Sequence, residues 1–296
     1  MSTERKKTLF LDIETHGVQH RWAMSPREFF RLGQYAWNRD GEIILTESYD
    51  EIVDAVRDAD LVVVHNGHSF DLSVLFGKDS TEALRMTQEK KVLDTMVWAN
   101  LAYPAPDKWQ RENGSWVTDG AKPEKALVWL GLNNLCHQLG LPGKTGDLAE
   151  IAKRYNPKGT KKADLDFGLI PLDDEEFRTY AYNDIVALRA LALRLLEMPG
   201  GVTPYNWREQ LNAAIDAQNS RNGFRVDIPA ATARRNQLEE RKADIMGMLV
   251  GKYGLPTKGT MPWRSNEGRA AIFAALSDYG ISPEARPDRP APATGN

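Results

Sequence analysis

The feature that most constrains this chain is a short β-strand pattern near its start that carries two acidic residues on one face. Residues 8–14 alternate strictly, with Leu9, Leu11 and Ile13 on one side and Phe10, Asp12 and Glu14 on the other. At the rise of a strand, the side chains of Asp12 and Glu14 stand ~7 Å apart. Two carboxylates on an otherwise apolar strand need an explanation beyond packing.

Two further acidic residues lie where a folded protein favours apolar side chains. Asp71 follows the β-branched run Leu61–Val64, and Asp184 lies on the core-facing stripe of a long predicted helix, one turn after Tyr180. Any one of the four acids could be a helix cap, a surface group or a salt-bridge partner. Four converging buried carboxylates, however, require cations, and hard oxygen ligands suit Mg²⁺ or Mn²⁺.

The first part of the chain predicts an α/β fold, a mixed sheet with helices packed on it. Its patterns follow the order β, β, β, α, β, α along the chain. The predicted strands are residues 8–14, 34–38, 42–46 and 61–64, and the predicted helices are 49–59 and 70–76, the second behind a Ser69 cap.

Helical patterns dominate the rest of the chain. A Pro-, Gly- and Trp-rich stretch at 104–123 is predicted to be an insertion or a mobile loop, and residues 156–163 form a basic loop. Lys158, Lys161 and Lys162 in that loop either contact phosphates or are simply solvated. The predicted helices begin at residue 93 and continue at 132–139, 147–155, 174–197, 207–219 and 230–250, with Asp173 or Asp174 capping the longest.

Composition excludes several classes of protein. Against 41 Asp and Glu stand 38 Lys and Arg, so the net charge of −3 excludes an undifferentiated basic protein that coats DNA. One cysteine, Cys136, excludes an intrachain disulfide framework and a cysteine-based zinc cluster. No apolar run approaches a membrane span or a signal-peptide core, so we expect a cytoplasmic protein.

Three motifs resemble those of the DEDD 3′→5′ exonucleases. The stretch from Leu11 to Thr15 is similar to the first motif of that superfamily, and residues 66–71 match the second, in which an Asn precedes an aromatic residue and an Asp. Residues 180–184 match the third, Tyr-x₃-Asp, which is typical of the tyrosine branch. Each motif alone is weak, but their order and spacing together make the resemblance specific.

A closer resemblance is to phage-type family A (DNA polymerase I-like) polymerases. It rests on His65-Asn66-Gly67-His68, on Asp94-Thr95-Met96 and on residues 220–227, and it covers roughly residues 8–254. No fingers or palm motif of such a polymerase is found; residues 278–286 only superficially resemble a palm motif. The resemblance therefore implies a ribonuclease H-like exonuclease domain at 1–200, a truncated helical start of a polymerase domain at 201–280 and a Pro-rich, disordered tail at 281–296.

The resemblance also implies roles for individual residues. Asp12, Glu14, Asp71 and Asp184 would hold two divalent cations, and Tyr180 would orient the attacking water. Thr15, His16 and Asn66 would contact the terminal nucleotide, and Phe70 would either join them or belong to the core. His65 and His68 are expected to hold the turn before Asp71 by hydrogen bonds, and Asp94 to cap a helix or to support the ligands.

The implied activity is removal of nucleoside 5′-monophosphates from the 3′ ends of DNA, with single strands and frayed primer ends as substrates. In the family this activity proofreads DNA replication, so a polymerase region and other replisome proteins are the expected partners, in the host cytoplasm if the chain is phage-encoded. Three alternatives stay open: an RNA 3′-end exonuclease, a non-catalytic module that binds single-stranded DNA, and an interaction platform for replisome proteins.

Overall fold

A computed structural model describes residues 7–144, 146–223, 225–258 and 261–281. Contacts divide the chain into two compact units, Met1–Gly223 and Phe224–Asn296. In the described part of the chain, no helix has both the length and the apolar character needed to cross a membrane.

The first unit is built on a mixed five-stranded sheet, as the sequence predicted. Its strands are β1 (Thr8–Thr15), β2 (Phe30–Trp37), β3 (Ile43–Thr46), β4 (Leu61–Val64) and β5 (Val92–Asp94), in the spatial order β3-β2-β1-β4-β5. The strands β1, β2 and β3 pair antiparallel, whereas β4 pairs parallel with both β1 and β5. The strand β1 therefore lies at the centre of the sheet.

Helices cover both faces of this sheet. One face packs on α2 (Tyr49–Asp58), α3 (Asp71–Phe76) and α4 (Glu82–Gln88), with the short α1 (Pro26–Phe29) at its edge. The other face packs on α5 (Thr95–Ala102), α7 (Leu132–Leu139) and α9 (Glu175–Leu196). Leu9, Leu11 and Ile13 enter the first core and Phe10 the second, which confirms the predicted alternation.

The helix α9 carries part of the predicted site and follows the prediction closely. Asp174 caps it by accepting a hydrogen bond from the Phe177 backbone N–H at 2.8 Å. Its expected apolar face is buried throughout, at Phe177, Ala181, Leu188, Leu191 and Leu195. The helix α8 (Leu148–Tyr155), also predicted, packs on the amino-terminal half of α9.

Two local predictions were wrong. Residues 92–94 form β5 instead of a helix, because they pair with β4 and Asp94 then caps α5 through the Met96 N–H. The cap of α3 is Phe70, which makes no side-chain capping bond, while the Ser69 carbonyl accepts from the hydroxyl of Ser73.

The stretch 104–123, predicted to be an insertion or a mobile loop, contains a hairpin. It contains β6 (Lys108–Gln110) and β7 (Trp116–Thr118), followed by α6 (Pro123–Trp129). The ring of Trp109 is buried and meets the ring of Trp129 edge-on, with centroids 5.4 Å apart, whereas Trp116 is exposed. Of the two tryptophans, one therefore anchors the hairpin and the other faces solvent.

The first unit ends with α10 (Pro204–Asn222), which begins with a capping box between Thr203 and Asn206. The sequence analysis placed a boundary at residue 200, but α10 packs on α4, α5 and β5 and belongs to the first unit. Gln210, wholly buried, makes hydrogen bonds with the backbone of Asp94. The sequence pattern of α10 does not predict this contact between Gln210 and Asp94.

The second unit consists of α11 (Ile228–Tyr253) and α12 (Asn266–Asp278) in its described part. Asp227 caps α11, and Lys252 and the Tyr253 hydroxyl both contact Asp278 at 2.8 and 2.9 Å. The helix α12 was not predicted. Residues 282–296, which include most of the predicted Pro-rich tail and part of the palm-like stretch at 278–286, lie outside the described residues.

Candidate metal centre

The strand β1 presents Asp12 and Glu14 towards the same side of the sheet, and a glutamine of the neighbouring strand holds both. Gln34 lies opposite Asp12 in the β1–β2 pairing. Its amide nitrogen donates to Asp12 Oδ2 at 2.7 Å and to Glu14 Oε1 at 3.3 Å. Because Gln34 is fully buried, the two carboxylates are held at fixed positions.

The helix α9 brings the third carboxylate to this point. Ligand oxygens of Asp12, Glu14 and Asp184 all lie within 4.8 Å of one another, and we call these three residues the acid cluster. Asp184 is 1% exposed and Glu14 8%. Asp184 Oδ1 is buried and has no hydrogen-bond partner among the described residues. A buried, unpartnered carboxylate oxygen inside a group of three acids fits a hard divalent cation.

A cation that the sequence patterns did not predict reaches the acid cluster. Lys144 Nζ donates to Asp184 Oδ2 at 2.7 Å and to the Tyr180 hydroxyl at 3.1 Å. Its backbone N–H donates to Asn133 Oδ1 at 2.9 Å, which ties this loop to α7. The only signal in the sequence is a single lysine inside the Gly- and Pro-rich segment 140–146, and no periodicity connects it to α9.

The electrostatics show that the acid cluster is short of positive charge. Burial raises the pKa of Glu14 well above its usual value, and the neighbouring charges of Asp12 and Asp184 raise it further. Burial and Asp12 raise the pKa of Asp184 in the same way, opposed in part by Lys144. Three carboxylates face one ammonium, so a divalent cation here would relieve both burial and repulsion.

The pKa values of Lys144 and Tyr180 are both raised in this environment, for different reasons. Burial alone would lower the pKa of Lys144, but attraction to Asp184 and Tyr180 outweighs it and the pKa stays above its usual value. Burial and the charge of Asp184 raise the pKa of Tyr180. At neutral pH the lysine is therefore an ammonium and the tyrosine keeps its proton.

Asp71, the fourth predicted ligand, lies beside the acid cluster but does not belong to it. It is the first residue of α3, is 2% exposed, and its Oδ1 accepts from the Ile13 backbone N–H at 3.2 Å. Burial raises the pKa of Asp71, and the charge of Asp12 adds to this. The structure thus groups three of the four predicted ligands at one point, and the fourth contacts the backbone of β1 between Asp12 and Glu14.

The predicted substrate residues occupy the end of β1 and the β4–α3 connection. The Thr15 hydroxyl donates to the His16 carbonyl at 2.9 Å, and the His16 ring lies 3.7 Å from Asp166. Asn66 is exposed and adopts a left-handed backbone with φ 63°. Phe70 is partly buried against the first core, with the Arg21 guanidinium 5.0 Å from its ring centre.

The two histidines of the same connection form hydrogen bonds, but with residues far along the chain and not within the turn that they were expected to hold. His65 contacts the Thr95 hydroxyl and the Leu130 carbonyl, both at 2.9 Å, and His68 Nε2 contacts Gln210 Oε1 at 2.9 Å. Gly67 between them is required by close approach, since a Cβ there would lie 2.4 Å from Val64 Cγ2. Asp94 accepts from the backbone N–H groups of Asn66 and His68, which fixes this turn.

Comparisons with known proteins add little to this description. No family model matches the chain, and no curated protein matches it. A solved structure of the family B DNA polymerase from the hyperthermophilic archaeon Pyrobaculum calidifontis is similar over 75% of this chain, at 15% identity and a TM-score of 0.32. The match spans only 28% of that polymerase. The α/β fold and the acid cluster therefore stand on the coordinates alone.

Proposed function

We propose that this chain is a metal-dependent 3′→5′ exonuclease that removes nucleoside 5′-monophosphates from the 3′ ends of DNA. The observation that carries the proposal is the acid cluster, in which three carboxylates from β1 and α9 lie within 4.8 Å and one buried oxygen has no partner. The three motifs that resemble the DEDD exonucleases supply the reaction type.

The acid cluster would hold Mg²⁺ or Mn²⁺ through Asp12, Glu14 and Asp184. Bound there, such an ion supplies Lewis acidity, which makes a water a better nucleophile and neutralises charge on a phosphodiester. Asp71, next to Asp12, is the proposed ligand of a second ion. Gln34 holds two of the carboxylates in place, so the chain itself sets the spacing of the ligands.

Tyr180 is the proposed group that orients the attacking water. Its hydroxyl oxygen accepts from Lys144, so the orientation of the phenol is fixed and its own hydrogen points away from the ammonium. Because the raised pKa keeps that hydrogen in place, Tyr180 acts as a hydrogen-bond donor and not as a base. Lys144 is a positioning residue for both Tyr180 and Asp184.

The 3′-terminal nucleotide is proposed to lie along the end of β1 and the turn at Asn66. The Thr15 hydroxyl donates its hydrogen to the His16 carbonyl, so this segment offers mainly backbone groups to a nucleotide. The exposed Asn66 amide offers a side-chain contact. Such contacts do not read base identity. Preference for frayed or mismatched ends would follow from the lower cost of unpairing them.

The test is an assay on a single-stranded DNA oligomer labelled at its 5′ end, with a matched RNA oligomer alongside. We expect a ladder that shortens from the 3′ end with Mg²⁺ or Mn²⁺ and disappears with EDTA or in Asp12→Ala. Asp54→Ala, which changes an exposed acid on α2, serves as the matched control and should cleave normally.

Each other result is equally informative. Cleavage by a folded Asp12→Ala protein would overturn the metal assignment, and release of the label as a mononucleotide would overturn the polarity. Equal cleavage of RNA and DNA would favour the 3′-end exoribonuclease. DNA binding by folded protein without cleavage would favour the non-catalytic module.

A further inference from the structure

The geometry points to an anion site formed by Arg21 and Arg221, which takes a backbone phosphate of a nucleic-acid strand. We call these two residues the arginine pair. Both line a cavity of about 390 Å³ in the first unit, together with Trp22, Ser69, Asp216 and Ser220. The inference rests on the proposed function in one respect, that a nucleic-acid strand is the ligand.

The arginine pair is held in place, yet its hydrogen-bonding capacity is not used up. Arg21 donates through Nη2 to the Ser69 carbonyl at 2.6 Å and to the Ser73 hydroxyl, and Arg221 donates through Nη2 to Gln218 Oε1 at 2.6 Å. The Nε–H groups of both arginines are buried and have no partner within the described chain. Arg221 is only 9% exposed. Fixed side chains with unused donors are prepared for a ligand that accepts hydrogen bonds.

The positive charge of the arginine pair is only weakly compensated. Among the described residues, no carboxylate forms an ion pair with either guanidinium within 4.0 Å, and the charge of Asp71 acts on Arg21 alone. Asp216 lines the cavity but is exposed and makes no such pair. Burial lowers the pKa of Arg21, and the charge of Arg221 lowers it further. Arginine nevertheless stays protonated at any physiological pH. Two like charges beside one cavity therefore favour an anion between them.

The chemistry of the cavity fits a phosphate group within a strand. Guanidinium groups bind phosphate oxygens through paired N–H donors, and the Ser69 and Ser220 side chains add hydroxyl groups. Trp22 is 49% exposed and has the Arg21 guanidinium 4.5 Å from its ring centre, so an aromatic face for stacking a base adjoins the charged site. A single-stranded nucleic acid offers both a phosphate and a base.

The position of the cavity relates it to the proposed path of the substrate. Ser69 lies in the same connection as Asn66, two residues before Asp71, at which α3 begins. The charge of Asp71 is felt by Arg21. A strand whose 3′ end enters the acid cluster past Asn66 can thus place a phosphate further along its backbone on the arginine pair. Arg221 also belongs to the Ser-Arg-Asn-Gly stretch at 220–223 that the sequence analysis singled out and the proposed reaction does not use.

The test measures binding apart from cleavage. Fluorescence anisotropy with a labelled single-stranded DNA oligomer is recorded in EDTA for the full chain and for Arg21→Gln and Arg221→Gln. Each substitution should raise Kd about tenfold and reduce the slope of log Kd against log salt by about 0.7, the value for one lost phosphate contact on a single strand. Arg208→Gln, which changes an exposed arginine on the same helix as Arg221, should leave Kd within twofold.

Three results would separate the possibilities. Unchanged Kd and salt slope in folded Arg21→Gln and Arg221→Gln proteins would overturn the anion site even if the chain cleaves DNA. Loss of affinity in a chain that never cleaves would support the anion site and reject the exonuclease. If inorganic phosphate raises the Tm of the unchanged chain but not of Arg221→Gln, while DNA affinity is the same in both, the site binds free phosphate and the strand assignment is wrong.

Arg221→Lys guards against misfolding of the nearly buried Arg221→Gln. It keeps the charge but removes the planar fork, so it should keep most of the salt dependence while losing part of the affinity. Full affinity in Arg221→Lys together with loss in Arg221→Gln would still support an anion site, one that reads charge alone. If every variant at these two positions has both a lower affinity for DNA and a lower Tm, the arginine pair only stabilises the fold.

Discussion

The first unit buries two groups of polar side chains, and they differ in how completely their hydrogen bonds are satisfied. One is the acid cluster. The other, the Gln210 network, consists of His68, Asp94 and Gln210. In it the Asp94 carboxylate accepts three backbone N–H groups at 2.8 to 3.2 Å, and Gln210 exchanges two bonds of 2.9 Å with the Asp94 backbone. Only His68 Nδ1 lacks a partner among these atoms in the described structure.

The difference separates a structural role from a binding role. The Gln210 network pairs its one carboxylate with backbone donors and connects α10 to β5, so that carboxylate needs no cation. The acid cluster collects three carboxylates, one ammonium from Lys144 and an unpartnered oxygen on Asp184. A buried carboxylate is compatible with stability when donors satisfy it, whereas an unpartnered carboxylate oxygen among further carboxylates favours a cation.

The largest expected effect is on catalysis, from a change in the acid cluster. We expect Asp184→Asn to lower the cleavage rate at least about 1,000-fold, equivalent to about 4 kcal/mol on the barrier. The Tm should stay the same or rise, because one of three repelling carboxylates is gone. Cleavage assays with thermal unfolding in EDTA check both; a rate within tenfold of the unchanged chain would contradict the role of Asp184.

The second effect is on stability, from a change in the Gln210 network. Gln210→Ala should lower the free energy of unfolding by about 3 kcal/mol, because buried groups of Asp94 and His68 lose their partners. Urea unfolding measures this, and Asn212→Ala, exposed on the same helix, should stay within about 0.5 kcal/mol of the unchanged chain. A loss as small as that of the control would mean that the network does not hold α10 in place.

A smaller effect is expected at the one ammonium of the acid cluster. Lys144→Met should lower the free energy of unfolding in EDTA by about 2 kcal/mol, because Asp184 loses its charged partner. Saturating Mg²⁺ should restore most of that loss, and the Kd for Mg²⁺ should fall because the site becomes more negative. Isothermal titration and urea unfolding test this against Lys161→Met, an exposed lysine of the basic loop. A weaker Mg²⁺ affinity in Lys144→Met would show that the lysine supports the ion instead of substituting for it.

The smallest effect compares both regions in one measurement. Mg²⁺ at ten times its Kd should stabilise the unchanged chain by about 1.4 kcal/mol. Gln210→Ala should gain the same amount of unfolding free energy from Mg²⁺, although it is less stable to begin with, because its acid cluster is intact. Asp184→Asn should gain none. An equal increment in Asp184→Asn would place the ion elsewhere in the molecule.

The sequence predicted the parts of this molecule that depend on local periodicity. The alternation in β1 placed Asp12 and Glu14 on one face, and the helical spacing of Tyr180 and Asp184 placed both on one side of α9. Lys144 and Gln210 were not predicted because each acts through tertiary contacts with residues distant along the chain, made from a loop or a helix whose own pattern gives no sign of them. The hairpin at 108–118 was not predicted because its strands are three residues long, too short to show an alternating pattern of apolar and polar residues.

The acid cluster draws its members from the first strand and from the long helix α9, which lies near the end of the first unit. A chain emerging from the ribosome, or an intermediate in which α9 has not docked, holds only Asp12 and Glu14 in position. Closing so long a loop is among the slower events in folding. Capture of a divalent ion would therefore report completion of the fold, and the proposed cleavage would be withheld from partly folded chains.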